Sequence, residues 1–174
     1  MPIRFDFTGR KVILTGAAGD IGSRILEGFL DAGACVFATD RPGERLDALE
    51  GSDNQLKKAG CDLTDVDDIR RTMRGALEWL GGCDVLLNVA GYMPIRKTLG
   101  LTEKDWADVL GVNLLAPYFA IQETIEALKA SPLGRPTSLA SIAGKMLALI
   151  HHLRCPPPPR SSSSSPAVCY NINY

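Results

Sequence analysis

Residues 15–22 read "TGAAGDIG", with glycines at Gly16, Gly19 and Gly22. That spacing lets a backbone turn tightly and approach a ligand with no Cβ in the way. A helix opening straight after such a turn aims its free N–H groups and the positive end of its dipole at the loop. The ligand suited to that place is a phosphate or pyrophosphate. Asp40 closes the next apolar run, near the separation expected of a carboxylate that accepts hydrogen bonds from the hydroxyls of an adenosine ribose. Glycine loop, helix, strand and acid in this order point to a dinucleotide. A carboxylate at 40 accepts from a free 2′-hydroxyl and repels a 2′-phosphate, which favours NAD over NADP. Arg41 beside it offers the opposite grip, on a phosphate. Asp20 suits the N-cap of the helix, yet its charge would compete with a phosphate for the same amides.

Positioning these residues takes strands and helices in alternation. "KVILTG" (11–16) is the short apolar run of a strand buried on both faces. Ile21, Ile25, Leu26, Phe29 and Leu30 then recur at helical spacing, and Gly33 ends the segment. Further strands are expected at 34–40, at 83–91 and, more weakly, at 55–61 and 137–144. Thr64-x-x-Asp67 fits a capping box for a helix whose inner face is Ile69, Met73, Leu77 and Leu80. Thr102-x-x-Asp105 caps a second helical segment, with Trp106, Val109, Leu110 and Leu114 expected to face inward. Pro117 should kink or divide it. Strands joined by helices of this length imply right-handed crossovers and a parallel sheet, the α/β doubly wound class.

The chain has 174 residues, enough for one domain with a single core. A net charge of −1 argues against a nucleic-acid or acidic-membrane surface. No apolar run approaches the roughly 20 residues that a bilayer needs. The five cysteines form no Cys-x-x-Cys pair, which suits free thiols in a reducing, cytoplasmic setting better than disulfides or a metal site.

Together the motifs resemble the short-chain dehydrogenase/reductase family over roughly residues 5–145. "TGAAGDIG", Ile21 included, looks like its cofactor loop. "CDLTD" (61–65) resembles the segment whose aspartate, here Asp62 followed by Leu63, sits by the adenine ring. "NVAG" supplies Asn88, Ala90 and Gly91 at the end of the fourth strand. "GVNLLAPYF" (111–119) carries the family's catalytic asparagine at Asn113, and "SLASIAG" (138–144) its catalytic serine at Ser141. The opening "FDFTGRKVILTGA" and the later "HH" look most like carbonyl and xylulose reductases. The resemblance implies a Rossmann-type sheet that moves hydride between a nicotinamide and a small carbonyl or alcohol substrate. The serine would orient the substrate oxygen, and the asparagine would hold a water that relays protons.

There are departures. Asp20 stands where the family has its middle glycine, a spacing closer to sugar-nucleotide epimerases; those would need a second domain. Val89 replaces an asparagine. The family's proton donor is a tyrosine with a lysine four residues later, whose cation lowers the tyrosine pKa. By the family's spacing these fall at Arg154 and Pro158, and no Tyr-x-x-x-Lys occurs anywhere in the sequence. Tyr92 with Arg96 is the nearest approach, and nothing orients His151 or His152.

From position 156 four prolines and then, from 161, five serines replace the periodic pattern. The expected division is a dinucleotide-binding domain over 1–150, with its sheet incomplete on the C-terminal side, and a low-complexity, disordered tail over 151–174. The tail occupies the place of the family's catalytic helix, which often forms the dimer face, so oligomerisation would lack its usual interface. A shifted frame or alternative exon would produce such a break. "PPPPR" as an SH3 or WW ligand and the serines as phosphorylation sites are the working alternatives. Three functional readings follow: an oxidoreductase impaired by the missing pair, a non-catalytic NAD(H)-binding or interaction module, or a truncated product without function.

Overall fold

The computed structural model describes residues 5–95 and 98–141. The chain forms two units, Met1–Leu139 and Ala140–Tyr174. Of the second only residues 140 and 141 are described, so the tail readings, His151, His152, Arg154 and Pro158 lie outside the described residues.

Unit one is a parallel sheet of five strands in the order β3-β2-β1-β4-β5. These are β1 (Lys11–Thr15), β2 (Cys35–Asp40), β3 (Leu56–Gly60), β4 (Val85–Asn88) and β5 (Arg135–Ser138). The chain winds outward from β1 to β3, then returns to place β4 on the other side of β1. That reversal is the switch point at which sheets of this class bind ligands, beyond the carboxyl ends of the strands. Alternation along the strands builds two cores. Ile13, Phe37 and Leu86 pack on one face with Ile69 and Met73 of helix α3 (Val66–Leu80). Val12, Leu14, Val36 and Ala38 pack on the other with Leu26 of helix α1 (Asp20–Asp31). The α/β doubly wound class expected from the sequence is the class observed.

Boundaries differ where side chains chose other partners. Gly19, not Asp20, is the N-cap of α1, and Asp20 is its first helical residue. The cap of α3 is Asp65, whose carboxylate accepts from the amides of Asp67 and Asp68. Thr64 is turned to Asp62 instead: its amide and hydroxyl both donate to Asp62 Oδ1, at 2.9 and 2.7 Å. The Thr102–Asp105 capping box is present at the start of α4 (Glu103–Leu110). A four-residue helix, α2 (Glu44–Asp47), follows Asp40 and was not expected. Strand β5 begins two residues earlier than expected, and residues 142–144 lie outside the described residues.

The expected inner face of α4 is wrong. Trp106 is 51% exposed, Leu110 48% and Leu114 61%. Asp105, Gly111 and Ala116 are buried instead. A Cβ on Gly111 would sit 3.7 Å from the Thr64 backbone, so the chain passes close to that loop where α4 ends, and the bulky residues turn outward. The division at Pro117 falls one turn early. Residues Gly111–Leu115 form a π turn between α4 and α5 (Ala116–Ala130), consistent with the hydrogen bond that proline cannot donate to the Asn113 carbonyl.

Asp84 ties three segments together. Its Oδ2 accepts from the Lys11 amide at 2.9 Å, its Oδ1 from the Ser131 hydroxyl at 2.6 Å, and its carbonyl from the Arg135 amide at 2.9 Å. Burial pushes its carboxyl up, but the bonds from Ser131 and Lys11 outweigh that, and its pKa is lowered. A carboxylate with a lowered native pKa contributes stability above the ordinary carboxylate range, and the contribution is lost as pH falls through the native value. Asp84→Asn should therefore cost about 1–2 kcal/mol at pH 7. The cost should shrink below about pH 4, as urea unfolding of both proteins across pH 3–7 would show.

Candidate functional site

The carboxyl ends of β1, β2 and β4 open into a cleft of about 1000 Å³. Its floor is the glycine loop. Gly16 has φ 71°, a left-handed value, and a Cβ there would meet the Ala90 amide nitrogen at 2.5 Å. Gly22 is tighter, since its Cβ would lie 1.9 Å from the Gly16 carbonyl oxygen. The loop thus closes on itself and against the end of β4 at two places that admit only hydrogen. Ser23 is the first residue of α1 to donate into the helix, to Gly19 at 2.9 Å. The amides of Asp20, Ile21 and Gly22 are left outside the ladder, as first-turn amides are, and all three residues line the cleft.

Asp40 is held in place by backbone. Its Oδ2 accepts from Ala18 at 2.9 Å and its Oδ1 from Arg41 at 2.7 Å. Each oxygen keeps acceptor capacity for a ligand hydroxyl. Asp62 lines the cleft beyond it, and the two bonds from Thr64 lower its pKa. Leu63, Ala90 and Gly91 also line it.

Three expected site residues stand elsewhere. Asn88 is 3% exposed and is not among the lining residues; its Nδ2 donates to the Ser138 hydroxyl at 3.4 Å, joining the ends of β4 and β5. Asn113, in the π turn, donates from Nδ2 to the Tyr92 carbonyl at 2.7 Å and accepts at Oδ1 from the Tyr92 amide at 3.0 Å. Its amide therefore clamps the backbone of the loop that follows β4. Ser141 is exposed and belongs to the second unit.

Sequence reasoning missed several lining residues, among them Arg45, Lys104 and Asp108. Lys104 Nζ lies 2.8 Å from Asp108 Oδ2, and that bond raises its pKa. The i,i+4 spacing of Lys104 and Asp108 was readable, but the face of the helix was not. Arg45 pairs with Asp20 at 2.5 Å, a contact between elements that carries no local signal. Among the described residues no cluster of His, Cys, Asp or Glu would hold a metal, and no helix is long and apolar enough to cross a membrane.

A family profile described as short chain dehydrogenase matches residues 10–150. The fold resembles a solved short-chain dehydrogenase/reductase (glucose/ribitol dehydrogenase) from Brucella melitensis, with TM-score 0.75 and 30% identity over 83% of this chain and 61% of that one. It also resembles a solved metagenomic short-chain oxidoreductase in complex with NADP, with TM-score 0.74 and 32% identity over 80% and 65%. Fluoren-9-ol dehydrogenase of Terrabacter sp. is 31% identical over 78% of this chain and 41% of its own length. The chain spans about half the length of the curated relatives it matches.

Proposed function

The chain belongs to the short-chain dehydrogenase family, and from that premise we propose that its cleft binds a nicotinamide dinucleotide, NAD(H) in preference to NADP(H). The observation that carries the reading is the loop itself. Gly16 and Gly22 leave no room for a Cβ, and the first-turn amides of α1 line the cleft. These residues fit a pyrophosphate, Asp40 fits the ribose, and Asp62 with Leu63 fits the adenine end. The solved metagenomic relative is a complex with NADP, and Arg41 lies in this cleft as well. The preference for NAD(H) rests on Asp40, a carboxylate that would accept from a free 2′-hydroxyl and repel a 2′-phosphate. Calorimetric titration with each cofactor tests it. NADH is expected to bind at least about tenfold more tightly than NADPH, and Asp40→Ala should erase or reverse that ratio. Equal affinities in the unaltered chain would remove the preference.

The reaction class proposed is carbonyl/alcohol oxidoreduction on a small substrate. When bound, the nicotinamide supplies or accepts the hydride. Asn113 keeps the loop after β4 in place through Tyr92, and one N–H of its amide remains for a water. Ser141 is assigned the substrate oxygen on the strength of the family resemblance alone. The sequence holds no Tyr-x-x-x-Lys, so the proton that must accompany the hydride lacks its usual donor, and turnover is impaired. That same absence favours a second reading, a dinucleotide-binding module that does no chemistry. Binding without turnover would distinguish it. A reducing, cytoplasmic setting belongs to the proposal too. It rests on the free thiols of Cys35, Cys61 and Cys83, the last two pushed up by burial to about 11 and about 12.

A further inference from the structure

The cleft is poorly charged for the ligand proposed above. Among the described residues five carboxylates line it, from Asp20, Asp40, Glu44, Asp62 and Asp108, against three cations, Arg41, Arg45 and Lys104. Lys104 is already paired with Asp108. A pyrophosphate would bring further negative charge into this field. Among the acids, Asp20 is the one on the helix turn whose amides a pyrophosphate would use. Left alone, its carboxylate would repel the ligand and fold back on those amides, as acids in a first helical turn do.

In this structure it does not fold back. Among the described residues no α1 amide donates to it; Asp20 Oδ1 lies 2.5 Å from Arg45 Nη2 instead. Arg45 comes from α2, 25 residues further along the chain. At its C-terminal end α2 is held by Lys58 of β3. Gly43 precedes it at φ 151°, and Lys58 Nζ donates to the carbonyls of Asp47 and Leu49 at 2.6 and 3.0 Å.

We propose that Arg45 is a positioning residue for the cofactor: by pairing with Asp20 it cancels that charge and keeps the first-turn amides open to a pyrophosphate. The proposal rests on the dinucleotide reading and adds the device that lets an acid stand in the phosphate loop.

NADH affinity measured by fluorescence titration on the full chain tests it. Arg45→Ala should weaken binding about tenfold at low salt. That penalty should shrink severalfold near 0.5 M salt, because it is a repulsion that ions screen. Arg45→Lys should bind nearly as the unaltered chain does. Arg45→Gln, which keeps the stem, should match Arg45→Ala. Asp20→Ala should remove the need for Arg45, so that Asp20→Ala with Arg45→Ala binds within about twofold of Asp20→Ala alone. Melting should barely move in any variant, since the pair is exposed. An equal loss on Arg45→Ala with and without Asp20, or a loss indifferent to salt, overturns the proposal while leaving the dinucleotide reading intact. No NADH binding by the unaltered chain overturns both.

Discussion

Gly22→Ala is expected to abolish NADH binding and to lower unfolding stability by about 3 kcal/mol. The added methyl would sit 1.9 Å from the Gly16 carbonyl oxygen and 2.8 Å from its carbonyl carbon. Both atoms are backbone, and they belong to a glycine that is itself pinned against Ala90. Relief would require α1 to move away from the loop, which carries Asp20, Ile21 and Gly22 away from the ligand. Gly28→Ala supplies the contrast in the same helix. A Cβ at Gly28 meets nothing within 4 Å, so alanine there should raise stability by about 0.5–1 kcal/mol and leave binding unchanged. Urea unfolding and calorimetry on the two variants check both halves. If Gly22→Ala still binds NADH, the loop is not the pyrophosphate site.

The second large effect is on turnover. The chain should reduce or oxidise a panel of carbonyls and alcohols about a thousandfold more slowly than a family member that holds the Tyr-x-x-x-Lys pair, at saturating cofactor. Hydride transfer leaves an alkoxide, or needs an alcohol to lose its proton, and a positioned acid or base of suitable pKa carries that step. Arg154, at the tyrosine's place by spacing, stays protonated and cannot serve. Pro158, at the lysine's place, has no side-chain charge to lower a neighbouring pKa. Asn113 holds Tyr92 through its amide and has no titrating proton. Ser141→Ala should then change nothing measurable. Steady turnover that disappears on Ser141→Ala would falsify this expectation.

Much of the molecule was legible from pattern alone. Val12, Ile13 and Leu14 read as a strand buried on both faces, and all three are fully buried. Ile69, Met73 and Leu80 read as one face of a helix, and that face is in the core. The errors share a cause. Size and spacing point Trp106, Leu110 and Leu114 inward, but Asp105, Gly111 and Ala116 are the residues buried in this stretch. Size marks what would gain from burial; closeness of approach decides which face receives it. Thr64 fits a capping box by spacing, yet the helix starts one residue later, where Asp65 caps α3 and the Thr64 hydroxyl is turned to Asp62.

The sequence by itself determined the class of fold, the glycine loop and the order of the site motifs. These depend on periodicity and on local backbone freedom, which neighbouring residues set. Only the tertiary structure decided which groups meet across elements: Arg45 with Asp20, Tyr92 with Asn113, Ser131 with Asp84. The first two follow from where the carboxyl ends of the strands come together at the switch point, and the third from the opposite edge, where β4 and β5 begin; both are properties of the packed sheet that no short window of residues contains.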